Sequence, residues 1–171
     1  MKYLFSLLLI AIIINCVGPR VAYDYNTQKD FSTYKTYNYY PELKTGLSDL
    51  DNKRLFTTTD SLMKSKGFNR INNPELYINF KSKQYQTPTN NRIGIGVGNR
   101  PINIGGSIPF GGPDQHIQLT MDFVDVSKDE LIWQAEVDDV QNSSYTPENR
   151  SAFFYVMMEK VLNKYPPKKK K

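Results

Sequence analysis

The chain has 171 residues, 39% of them hydrophobic and 13% aromatic, which is enough for one domain with a real core and too apolar for a disordered chain. Its formal net charge is +5, but Lys2 and the run Lys168–Lys171 hold five of the 22 basic residues, leaving 17 against 17 acidic ones; a neutral body offers no basic face for phosphate and argues against a nucleic-acid partner. The one cysteine (Cys16) and one histidine (His116) exclude an internal disulfide framework and a Cys/His zinc site.

Residues 1–16 hold Lys2, an apolar run from Leu4 to Ile14, and Asn15–Cys16. Eleven helical residues rise about 16 Å, against a hydrocarbon core of about 30 Å, so the run does not span a membrane. A charged start followed by a short apolar stretch reads as a secretory leader over residues 1–15. The Cys at its end resembles the lipobox of bacterial lipoproteins, in which that Cys carries a diacylglycerol and becomes the mature N-terminus. Ile13 fits the −3 position, whereas Asn15 is less usual at −1 than Gly, Ala or Ser. A signal peptide cut elsewhere, or a Cys merely buried in an apolar segment, are the alternatives. Two or three acyl chains on Cys16 would anchor the protein stably, with residues 16–20 as the tether. By the same resemblance Val17, which is not Asp, favours the outer membrane, with the body expected to face the periplasm.

Val21–Asn26 alternates with period two and predicts a first strand; Asp30–Tyr34 predicts one turn, and Lys35–Tyr40 a second strand stopped by Pro41. The tyrosines here suit either strand packing or an aromatic-ligand surface. Ser48 with Asp51 resembles a capping box, and Gly67–Phe68 a glycine stop, so the first helix is expected over 48–66 with Leu55, Phe56, Thr59, Leu62 and Met63 facing the core. Glu75–Gln84 follows as a strand with Leu76, Ile78 and Phe80 facing in.

The stretch 87–116 carries seven glycines and four prolines and is expected to be a flexible insertion. RIGIGVGNR within it lacks the spacing, the following helix and the Lys–Ser/Thr of a phosphate loop, so a mobile hairpin or surface loop is the better reading. Loops this long in small domains are usually functional or disordered. Arg92, Ile93, Ile95, Val97 and Arg100 are therefore the candidate partner-binding residues.

Ile117–Val140 organises the rest. Ile117, Leu119, Met121 and Phe123 share one face of the first arm, and Leu131, Trp133, Ala135 and Val137 one face of the second. Pairing Phe123 with Trp133 keeps apolar opposite apolar along the hairpin, whereas a one-residue slip does not. Phe123 and Trp133 are thus the core markers, with the turn around Ser127–Asp129. Thr146–Pro147 opens a second helix over 148–164, with Phe154, Met157, Met158, Val161 and Tyr165 on its buried stripe. Residues 168–171 form a basic tail, either solvated or drawn to anionic lipid.

The only candidate base is His116, in the stretch read as flexible, so no catalytic residue is assigned. Carboxylates at Asp122, Asp125, Asp129, Glu136, Asp138 and Asp139 leave a paired-carboxylate hydrolase as the alternative. Asp122, Glu136 and Asp138 fall on the hairpin's polar face, where charge ordinarily meets water. The Asp138–Asp139 pair lacks EF-hand-like spacing for Ca²⁺, so no metal site and no cofactor are assigned.

AYDYN, DFSTYKTYNYYP, KSKGF, PELYINF, TMDFVDVSKDELIWQAEV and the final KYPP, in this order behind Cys16, resemble the bacterial envelope lipoproteins of the domain of unknown function 4136 family. Gln134–Ala135 stands where an Arg–Gly pair is common there, and the lysine tail is extra. The resemblance implies no transferable activity. Together these readings predict a single α+β domain over 21–167, a two-layer sandwich of a mostly antiparallel sheet with two helices on one face. They also predict a lipid-anchored envelope protein that works by binding or assembly with an envelope partner.

Overall fold

The computed structural model describes residues 19–88, 92–95, 106–109, 112–142 and 144–168. The chain runs through β1 (Arg20–Tyr25), one 3₁₀ turn (Phe31–Thr33), β2 (Thr36–Tyr39), α1 (Asp49–Ser65), β3 (Asn69–Arg70) and β4 (Leu76–Thr87). It continues through β5 (Arg92–Ile95), β6 (Gly106–Pro109), β7 (Asp114–Asp125), β8 (Glu130–Gln141) and α2 (Pro147–Leu162). Six strands form one sheet in the order β1-β8-β7-β4-β2-β3. It is antiparallel except where β2 runs parallel to β4 and to β3. β5 and β6 form a separate antiparallel ribbon. Residues of both helices share one core with the sheet's inner face, so the two-layer α+β sandwich expected from the sequence is the fold.

The central hairpin takes the register that keeps its apolar faces together: Phe123 opposite Trp133, Met121 opposite Ala135, Leu119 opposite Val137. Every one of these six side chains is buried. On the hairpin's apolar faces the expectation departs from the structure at one residue. Leu131, expected on the core face, is 49% exposed. The register shifts between Phe123 and Val124, and Val124 then pairs with Leu131. The extra residue, Ile132, is a β-bulge that reverses the phase of everything beyond it. Ile132 and Trp133 are consequently both buried, and Leu131 turns outward.

The helix ends follow their sequence signals. Ser48 Oγ accepts the Asp51 N–H at 3.3 Å. At the other end the Phe68 N–H reaches Met63 O and the Gly67 N–H reaches Lys64 O, with Gly67 at φ +84°. That is a Schellman stop, and it requires the left-handed conformation glycine adopts freely. Thr146 caps α2 by accepting the Asn149 N–H at 3.3 Å, with Pro147 in the first turn. The short β3 went unread because two exposed residues carry no alternation. It exists through pairing with Thr36 and Tyr37 of β2.

Trp133, Phe123 and Tyr165 fill the centre, with ring centroids 4.9 Å (Phe123–Trp133), 4.5 Å (Phe123–Tyr165) and 5.4 Å (Trp133–Tyr165) apart. Tyr165 Oη is buried with no hydrogen-bond partner among the described residues. An unmet buried hydroxyl costs about 1–3 kcal/mol. Tyr165→Phe should therefore raise the unfolding free energy by about 1 kcal/mol, read as a higher urea midpoint at unchanged slope. A loss of stability would mean that the hydroxyl is satisfied after all.

Candidate functional site

The helices cover only one face of the sheet. On the other, the alternation of β4, β7 and β8 sets side chains in rows across the strands. The row Asn79–Asp122–Gln134 is closed on itself: the Asn79 and Gln134 side-chain amides donate to Asp122 at 3.2 and 2.7 Å. Asp122, expected to meet water, is thereby only 6% exposed.

Further along the same face, four side chains converge where β4 and β7 run out toward the glycine-rich arm. His116 Nδ1 lies 2.9 Å from Asp138 Oδ1, and His116 Nε2 lies 3.1 Å from Thr87 Oγ1. Tyr85 donates to the other Asp138 oxygen at 2.5 Å, and its ring stacks on the imidazole at 4.9 Å between centroids. The Asp138 bond holds the Tyr85 phenol above its usual range. A carboxylate can only accept, so with a neutral ring the arrangement puts the proton on Nδ1 and leaves Nε2 to accept from Thr87. The order carboxylate, imidazole, hydroxyl is that of an orienting acid, a base and a nucleophile.

Sequence reading missed this cluster because it ended β4 at Gln84 and placed His116 in a flexible stretch. The β4–β7 ladder instead runs unbroken from Leu76 opposite Asp125 to Thr87 opposite Asp114. Thr87 and 114–116 are thus paired strand, not insertion. The signal was present, since Lys81, Lys83, Tyr85 and Thr87 continue the outward parity of Asn79.

The carboxylates of the alternative reading do not face one another as a pair. Asp138 and Asp139 are neighbours on a strand and point to opposite faces. Asp139 has its carboxyl raised by burial, while Glu136 accepts from Gln118. Asp129 sits in the turn at φ +48°. Asp125 is buried and accepts from Tyr34 Oη at 2.7 Å, Lys29 Nζ at 3.1 Å and Ser127 Oγ at 2.6 Å. Lys29 also meets Glu130 at 2.8 Å, so this clasp ties the segment after β1 to the hairpin's end. Burial alone would raise the Asp125 carboxyl, but the three donors hold it far below the carboxylate range. Burial and the same bond push the Tyr34 phenol up to about 12. Among the described residues no group of three metal-ligating side chains comes together.

A depressed folded pKa makes Asp125 a source of acid sensitivity. Its contribution is complete above the unfolded carboxylate value of about 3.9 and is lost as pH falls below that toward the folded value. Urea midpoints measured from about pH 6 down to about pH 2 should fall less steeply in Asp125→Asn than in wild type. Equal slopes would remove the clasp from the account.

Of the residues assigned to partner binding, Arg92, Ile93 and Ile95 lie in β5, paired with Pro109, Ile108 and Gly106 of β6. Val97 and Arg100 lie outside the described residues, as do Cys16, the leader and Lys169–Lys171. Among the described residues no helix is long and apolar enough to cross a membrane.

Two solved structures resemble the fold. A PDZ domain protein from Parabacteroides distasonis aligns with TM-score 0.54 at 16% identity over 90% of this chain, which spans only 37% of that protein. The PelC dodecamer from Paraburkholderia phytofirmans aligns with TM-score 0.53 at 12% identity, over 85% of this chain and 95% of that one. At these identities the likeness is one of fold. No curated protein sequence matches the chain. The family model described as a domain of unknown function (DUF4136) matches residues 21–167, nearly all of the folded body, and the chain belongs to that family.

Proposed function

We propose that the protein is a lipid-anchored cell-envelope module, held through acyl chains on Cys16 at the outer membrane with its body in the periplasm. It works there by binding or assembly rather than by catalysis. The observation that carries this is the join between leader and fold: the chain's single Cys follows an apolar run, and β1 begins at Arg20, four residues later. An anchor at Cys16 would leave no slack domain between membrane and sheet, only a tether of at most about 14 Å. The test is the intact mass of membrane-extracted protein, wild type against Cys16→Ala. The expected mass is that of residues 16–171 plus two or three acyl chains, absent from the variant. A wild-type protein without acyl mass overturns the anchor.

The Asp138–His116–Thr87 cluster favours a second reading, a lipid-anchored hydrolase that uses Thr87 rather than paired carboxylates. In that reading the Thr87 hydroxyl attacks an ester carbonyl while His116 Nε2 takes its proton and passes it to the departing alcohol as the ester C–O bond breaks; water, activated by the same nitrogen, then hydrolyses the acyl-threonine and frees Thr87. Hydrolysis of para-nitrophenyl acetate lost in both Thr87→Ala and His116→Gln, and kept in Asp125→Asn, would support it. Equal rates in all four proteins would remove it.

A further inference from the structure

We infer that β1 is a self-pairing edge: two copies of the chain join antiparallel along it, about a two-fold axis through Ala22, into one continuous sheet. The partner is a second copy of this chain, and the pairing holds with or without the anchor proposed above.

The two edges of the sheet differ. On one, β3 offers two residues. On the other, β1 offers six in unbroken register with β8, and among the described residues no strand lies beyond it. A regular edge with no Lys, no bulge and no internal Pro is a template for another strand. The Asn26 N–H bonds Ile132 O at 2.9 Å, which fixes the phase of the ladder. Arg20, Ala22 and Asp24 direct their backbone groups to β8, whereas Val21, Tyr23 and Tyr25 direct theirs outward. The Tyr25 N–H is covered by Asp24 Oδ1 at 2.8 Å. The N–H groups of Val21 and Tyr23 have no partner among the described residues.

Two-fold pairing of these groups allows few registers, and one of them matches at every position. With Ala22 facing Ala22 of the second copy, Val21 exchanges both backbone hydrogen bonds with Tyr23, and Tyr23 with Val21. Arg20 then faces Asp24, and Asp24 faces Arg20, on the sheet's open face. On the helix face Val21 meets Tyr23, which is 45% exposed in the single chain. Opposite charges and an aromatic set against a β-branched residue are the cross-strand pairs that stabilise a sheet. Neither Arg20 nor Asp24 forms an ion pair among the described residues. Asp138, opposite Arg20 within the chain, is already bonded to Tyr85 and His116. Beyond this match Tyr25 faces Pro19, which has no N–H, so the new ladder stops there. An axis at Val21 sets Arg20 against Ala22, one at Tyr23 sets Asp24 against Ala22, and one at Asp24 opposes two carboxylates. Only the Ala22 axis matches charge.

The test is sedimentation equilibrium of the full chain in density-matched detergent, loaded at up to about 300 µM. Wild type should sediment as a dimer. Arg20→Asp and Asp24→Arg each oppose like charges and should raise the dissociation constant about tenfold or more. The double variant Arg20→Asp/Asp24→Arg restores the pair and should return to within about threefold of wild type. A second charge change would not rescue a misfolded chain, so recovery reads the pairing itself. Monomeric wild type, dimers indifferent to the single changes, or no recovery in the double variant overturns the proposal. The register is read separately in the Cys16→Ala chain under copper–phenanthroline oxidation. Facing residues at the axis lie about 4.5 Å apart at Cα, within disulfide reach, so Ala22→Cys should close a covalent dimer. Asp24→Cys, about 14 Å from its counterpart along the strands, should not. An Ala22→Cys chain that stays uncrosslinked, or equal crosslinking at both positions, overturns the Ala22 axis.

Discussion

Replacing Trp133 by alanine is expected to lower the unfolding free energy by about 3–5 kcal/mol, the largest effect of any single truncation in the sheet. Trp133 has no exposed surface, and it meets Phe123 from the facing strand and Tyr165 from beyond α2. It thus joins both layers at the position where the bulge forces two successive side chains inward. Neither neighbour can collapse into the space, because Phe123 is fixed by the β7 ladder and Tyr165 also packs against Phe31 and Phe68. The indole N–H makes no hydrogen bond among the described residues. Trp133→Phe, which keeps an aromatic ring and removes that N–H, should therefore cost well under half as much. Equilibrium urea unfolding of both variants checks the pair. Equal losses would mean that the N–H, not the ring, carries the stability.

Asp51→Ala should cost about 2–3 kcal/mol through a different cause. Asp51 opens α1, and Arg150 of α2 grips both its oxygens, Nε at 3.0 Å and Nη2 at 2.7 Å, while Arg54 bonds it at 3.0 Å. Its carboxylate is nearly buried, with side-chain exposure of 9%. Burial works to raise this carboxyl, but the two guanidinia outweigh it and hold it below its ordinary value. Removing the carboxylate leaves two partly buried cations facing each other across the helix pair. The expected cost stays below that of a fully buried pair because the guanidinia keep 16–20% exposure. Arg150→Met should recover part of the loss in the double variant, and additive losses would show that the two residues do not interact. The folded pKa is depressed, so this contribution holds above the unfolded carboxylate pKa and disappears as pH falls through the folded one.

The fold was legible wherever a local rule sufficed. Alternation gave the Phe123–Trp133 register, and Ser48, Gly67 and Thr146 marked helix ends through backbone needs that only certain residues meet. Leu131 was misplaced because a bulge adds one residue that no alternation announces. The His116 cluster was hidden for a related reason. Glycine and proline between 88 and 113 gave the whole stretch a loop-like composition, and the polar alternation of Tyr85 and Thr87 is weaker than the apolar one of Leu76 to Phe80. Long-range pairing, which joins Tyr85 to His116 and His116 to Asp138, is not written in either segment alone. The same holds for Asp51: its capping role was readable, while Arg150, 99 residues away, was not.

β1 sits at the sheet's edge, begins at Arg20 and runs away from the end where the tether enters. A pull on the tether, with the body held by a partner, therefore acts along the strand axis, not across it. The β1–β8 ladder, from Arg20–Asp138 to Tyr25–Trp133, then carries the load in shear. Its hydrogen bonds would resist together instead of opening one after another, so under the anchor proposed above the first strand would double as a strain-bearing joint between Cys16 and the core.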